Sequence, residues 1–110
     1  MTTFDERERS FEKKFAMDEE LRFRAAARRN ALLGEWAAVK LGLSGPAVAD
    51  YVRAVRKADV AGRGEDAVLQ KVLHDLTEKG AGVSAAELRQ VMLTFMNQAL
   101  SQLKGEGKEA

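Results

Sequence analysis

The sequence has no cysteine. No disulfide can staple this chain, and no thiolate can hold a metal ion. It has one histidine, His74, so no Ser–His–acid or Cys–His arrangement for nucleophilic catalysis suggests itself, and metal-ligand chemistry is nearly excluded. Neither sign of charge dominates: 18 Lys and Arg stand against 17 Asp and Glu, a net charge of +1. Bulk electrostatics therefore favours neither nucleic acid nor an anionic membrane as a partner. No apolar run could cross a bilayer, and the charged N-terminus is unlike a signal peptide. These absences point to a cytoplasmic protein with no direct membrane insertion. One proline and 6% aromatics, set in a chain rich in Ala, Leu, Glu, Lys and Arg, predict an all-α fold. At 110 residues the chain makes one small domain with a modest core.

What the sequence does have is concentrated at its start. Residues 1–30 alternate acids and bases densely, with Phe4, Phe11 and Phe15 spaced so that one side of a helix carries all three. Thr3-Phe4-Asp5-Glu6 fits a capping box, so a helix can begin at Phe4. Nothing breaks it before Gly34, and Gly42 with Ser44-Gly45-Pro46 ends it. Such a helix would run ~55–60 Å, longer than so small a domain can pack against. Local support is weak. The acid-first pairs Asp5–Arg9, Asp18–Arg22 and Glu20–Arg24 are worth ~0.3–0.5 kcal/mol each. A narrow Phe stripe on a charged helix is the pattern of a segment that docks into a groove on something else. The other reading folds the stripe back onto the same chain. Against that stands the glycine- and proline-free run from Phe4 to Leu33, which offers no turn.

From Leu21 the pattern changes. Leu21, Ala25, Leu32, Trp36, Val39 and Leu43 form a wide apolar face, with Leu33 at its edge. A second helix after Ser44-Gly45-Pro46 carries Val48, Tyr51, Val52 and Val55, and Gly62 ends it. A third, about 65–79, carries Val68, Leu69, Val72, Leu73 and Leu76 and stops at Gly80 after Lys79. Ser84-Ala85-Ala86-Glu87 is a second capping box, opening a helix over 85–103 with Leu88, Val91, Met92, Phe95, Ala99 and Leu103 inward. The spacing thus predicts a four-helix, bundle-like domain at 20–104, a charged and partly mobile arm at 1–19, and a disordered tail at 105–110.

Chemistry-bearing candidates are few. Carboxylates are plentiful, but nearly all stand beside basic residues on expected exposed faces, so none suggests a buried acid with a tuned pKa. No enzyme and no metal site is expected. His74 falls opposite its helix's apolar face and reads as solvated. Trp36 reads as a core anchor, and Met92 and Met96 as core filling. Arg22, Arg24, Arg28 and Arg29 form a basic patch, but interleaved acids make it a solvated helix face rather than a nucleic-acid reader. Gly62-Arg63-Gly64 precedes a helix, and Arg63 with Gly64 could hold an anion there, admitting weak ATP or ADP binding. This sustains a second reading: a small helical domain that binds a nucleotide or metabolite and senses cellular energy.

The run Thr3-Phe4-Asp5-Glu6-Arg7-Glu8-Arg9, then Phe11-Glu12-Lys13-Lys14-Phe15-Ala16, Asp18-Glu19-Glu20, Arg28-Arg29-Asn30, Leu32-Leu33-Gly34 and Trp36-Ala37-Ala38 resembles the ζ-subunit family of α-proteobacterial F1-ATPase inhibitors. The resemblance spans essentially the whole chain and is most specific at the N-terminus. It implies a four-helix fold with a mobile inhibitory segment, here residues 1 to about 19. In the family that segment enters the interface between the α and β subunits of F1, meets the central-stalk γ subunit, and blocks rotation in the hydrolysis direction. It also implies a position at the cytoplasmic face of the inner membrane when bound to F1FO-ATP synthase. The residue pattern adds candidate contacts. Phe4, Phe11 and Phe15 would be anchors, and Arg7, Glu8, Arg9, Glu12, Lys13 and Lys14 would set the register by ion pairs.

Overall fold

A computed structural model describes residues 19–109 of the chain. The arm at 1–18, with its Phe stripe and capping box, lies outside the described residues. Four α-helices follow one another: α1 (Glu19–Lys40), α2 (Pro46–Ala58), α3 (Glu65–Lys79) and α4 (Ala85–Glu109), with a 3-10 turn at Val60–Gly62 between α2 and α3. The fold is all-α, and the described residues contain no strand.

The helix ends follow from glycine, proline and serine. α1 closes with Gly42 at φ 75°, its N–H bonded to the Val39 carbonyl and the Leu43 N–H to that of Ala38. Gly80, also at φ 75°, ends α3 with the same pair of bonds, to Thr77 and from Ala81 to Leu76. Both are Schellman caps, which need the left-handed conformation glycine adopts at little cost. Pro46 sits in the first turn of α2, where its missing N–H costs nothing. The Ser84 hydroxyl accepts the Glu87 N–H at 3.1 Å, half of the expected capping box.

α1 is the central helix, touching α2, the 3-10 turn, α3 and α4. Its buried face differs from the expected one. Ala25, Ala26, Leu33, Gly34, Ala37 and Ala38 are buried, Leu33 is at the centre of the face, and Val39 is 77% exposed. The larger Leu32 and Trp36 are half-buried on the flank. The cause is close packing from two sides. A Cβ at Gly34 would stand 2.9 Å from the Val52 Cα, so the backbones of α1 and α2 touch there. Small residues permit that approach, and bulk is pushed outward. Gly34 is a contact point, not a break.

Two apolar clusters result. The larger joins Leu33 of α1, Val55 of α2, Leu69 and Val72 of α3, and Leu88 and Met92 of α4. The smaller is Ala25 of α1 with Ala99 and Leu103 of α4, flanked by Leu21, Met96 and Leu100. α4 therefore runs antiparallel to α1. It also continues past the expected end at residue 103, through Glu109, into the stretch expected to be disordered. Gly105 does not stop it, because its φ lies outside the left-handed region and no glycine cap forms.

Candidate partner-binding site

The expected partner-binding residues Phe4, Arg7, Glu8, Arg9, Phe11, Glu12, Lys13, Lys14 and Phe15 lie outside the described residues. The structure describes where that segment joins the domain, at the first turn of α1. Glu19 and Glu20 are exposed there, acids at a helix N-terminus where the macrodipole favours them. Glu19 Oε1 accepts a hydrogen bond from Arg63 Nη2 at 2.9 Å, with both side chains largely in solvent. One turn further, Phe23 lies against Gly62 while remaining 53% exposed.

Behind this surface is a buried polar cluster. Asn30 Nδ2 donates to Asp59 Oδ2 at 2.6 Å. Arg29 donates from Nε to Asn30 Oδ1 at 3.1 Å and from Nη2 to Asp59 Oδ2 at 3.4 Å. The other Asp59 oxygen accepts the Gly64 N–H at 2.7 Å. Glu65 Oε1 approaches Arg29 from the solvent side at 3.7 Å. Every buried side-chain polar atom among the described residues has a partner. That is the condition under which a charge pair survives burial. The cluster ties the middle of α1 to the 3-10 turn and to the start of α3.

These contacts bear on two expectations. Arg29 is buried at 3% exposure, not part of a solvated face. Its guanidinium answers Asp59, so burial removes one member from the supposed basic patch. At Gly62-Arg63-Gly64, the N–H that could hold an outside anion already meets the Asp59 carboxylate, and Arg63 meets Glu19. His74 is exposed and Met92 is in the core, as the spacing implied. Trp36 packs half-buried against the large cluster with the Lys40 ammonium 5.0 Å from its ring centre.

A second polar link holds α2 to α3. The Tyr51 hydroxyl donates to Asp75 Oδ2 at 2.8 Å, and Lys71 Nζ meets the same oxygen at 3.1 Å. Burial pushes the Tyr51 phenol well above its usual range, and the hydrogen bond to Asp75 and its charge add to the shift. No group of three or more metal-ligating side chains exists among the described residues. None of their helices is long and apolar enough to cross a membrane.

A protein-family model described as ATPase inhibitor subunit zeta matches residues 1–102. The chain belongs to that family. The matched span takes in the charged segment before Glu19, the first three helices and most of α4. Membership assigns the chain to the inhibitor subunits of an ATPase, as the N-terminal residue pattern implied. No curated protein matches the chain.

Proposed function

We propose that this chain inhibits ATP hydrolysis by F1-ATPase by inserting residues 1–19 as a helix between the α and β subunits, against the γ subunit of the central stalk. The observation that carries the reading is that the family match begins at residue 1 and joins the charged segment to the helical domain in one unit. The domain supports it from the other side. Its core draws on residues 25–103 and leaves no buried side-chain polar atom unpaired among the described residues. On this reading the segment serves another protein rather than the domain's own core. Ordering a charged helix costs conformational entropy, which a deep groove offsets by burying the rings of Phe4, Phe11 and Phe15. Arg7, Glu8, Arg9, Glu12, Lys13 and Lys14 set the register through ion pairs at the groove. The domain stays outside as a stop too wide to enter. Bound this way, the protein sits at the cytoplasmic face of the inner membrane.

Steady-state ATP hydrolysis by inhibitor-free F1 from the same source tests this. Deleting residues 1–19 abolishes inhibition while circular dichroism loses little helix. Phe11→Ala and Phe15→Ala each cost at least ~2 kcal/mol of binding, against ~0–1 for reversing an exposed charge. Undiminished inhibition by the truncated chain would sink the reading.

A further inference from the structure

We infer that the domain carries a second contact for the ATPase, a patch of Phe23 and Val60 rimmed by Arg22 and Arg56, which receives a carboxylate-bearing lip of the subunit that holds the arm. The inference rests on the arm reading and deepens it.

Geometry supplies the first argument. α1 begins at Glu19, and Phe23 follows one turn later, about 6 Å along the axis at 1.5 Å per residue. A cleft that grips the chain up to residue 19 therefore has its edge within side-chain reach of Phe23.

The second argument is exposure. Phe23 and Val60 are 53% and 74% exposed, and Phe23 packs on Gly62, two residues along the same 3-10 turn from Val60. A hollow of about 270 Å³ lies to one side of Phe23 and one of about 220 Å³ to the other, with Phe23 and Gly62 lining both. An apolar spot between two hollows is the shape that accepts side chains from an opposing surface.

Charge gives the partner's chemistry. Arg22 lines the first hollow and Arg56 the second, both exposed and outside the ion pairs formed among the described residues. Of the acids lining the hollows, Glu19 is met by Arg63, and Asp59 by Arg29 and Asn30. Among the described residues lining the hollows, that leaves Glu20 against two guanidinium groups. The patch is apolar at its centre and cationic at its rim. It fits a surface that is apolar with carboxylates around it. Tethered to the arm, even a weak contact here adds to binding through effective concentration.

The test compares full-length wild type, Val60→Glu, Arg56→Glu, Leu93→Glu and the chain lacking residues 1–19 in the F1 hydrolysis assay. Melting curves and sedimentation are run on each. Val60→Glu and Arg56→Glu should each raise the half-inhibitory concentration about 5–20-fold, and the Arg56→Glu loss should shrink at high salt. Leu93→Glu, the same kind of exposed apolar-to-acid change on α4, should leave inhibition unchanged. Arg56→Glu decides the matter if Val60→Glu loses its melting transition. Wild-type inhibition by both variants, beside an inactive truncated chain, overturns this inference and leaves the arm reading standing. Equal weakening by Leu93→Glu overturns it as a general effect on the domain. A wild-type dimer that Val60→Glu dissociates overturns it in favour of a second copy. Full inhibition by the truncated chain is the separate signature of a failed arm reading.

Discussion

At one end of the helical domain, leucines and valines from four helices close on one another around Leu33, Leu69 and Leu88. At the other end, two helices meet through Ala25, Ala99 and Leu103. Buried apolar surface contributes about 25 cal/mol per Å². The leucine-rich end therefore holds most of the stability, and the alanine end holds little. The thin end is also where the segment before Glu19 joins α1. A helix start that is lightly packed can open or bend without unfolding the rest. That would suit the proposed mode of inhibition, in which the domain stays folded while the segment before it enters another protein.

The polar cluster lies between the two ends, and breaking it should have the largest effect. Asp59→Ala leaves Arg29 without its buried counter-charge, facing the exposed Glu65 at 3.7 Å, and Gly64 without its acceptor. The expected cost is ~3–5 kcal/mol, read by urea unfolding. The two ends then separate in a pair of truncations. Leu69→Ala, at a fully packed site, should cost ~2–5 kcal/mol, and Leu103→Ala about 2 kcal/mol or less because the two-helix end can collapse onto the gap. Equal losses would erase the distinction between the ends.

A smaller effect sharpens the leucine-rich end. Tyr51 is packed against that cluster and bonded to Asp75. The folded protein keeps the phenol protonated to higher pH than the unfolded chain, where tyrosine titrates near ~10. Its contribution is complete below that pH and is lost as the pH rises beyond it. Tyr51→Phe should cost ~1 kcal/mol at neutral pH. It should also flatten the alkaline fall in stability, which melting temperatures between neutral and strongly alkaline pH would reveal.

Much of the fold was legible because punctuation residues act locally. The bounds of α3 follow from Gly64, Lys79 and Gly80, and the start of α4 from Ser84, each a bond within a few residues along the chain. The face of α1 was less legible. Periodicity weights large side chains, whereas the buried face of α1 includes Gly34, Ala37 and Ala38, and the importance of Gly34 appears only when Val52 is brought against it. The polar cluster left no signal at all. Arg29 and Asn30 lie about thirty residues from Asp59, and in a helix so rich in charge nothing marks one arginine as buried. Phe23 and Val60 were passed over for the opposite reason: neither fits an inward face, and single exposed apolar residues are ordinary.

The antiparallel run of α4 against α1 has a practical consequence. Leu103 lies beside Ala25, so the last turns of α4 and the first turn of α1 come out of the domain together. A dye or spin label on the last turn of α4 would stand next to the root of the N-terminal segment and would report the proposed capture of that segment by the ATPase as a change in distance. By the same geometry, an affinity tag fused after residue 110 would crowd that root, whereas one inserted at Gly80–Gly82 would sit in the loop between α3 and α4, away from it.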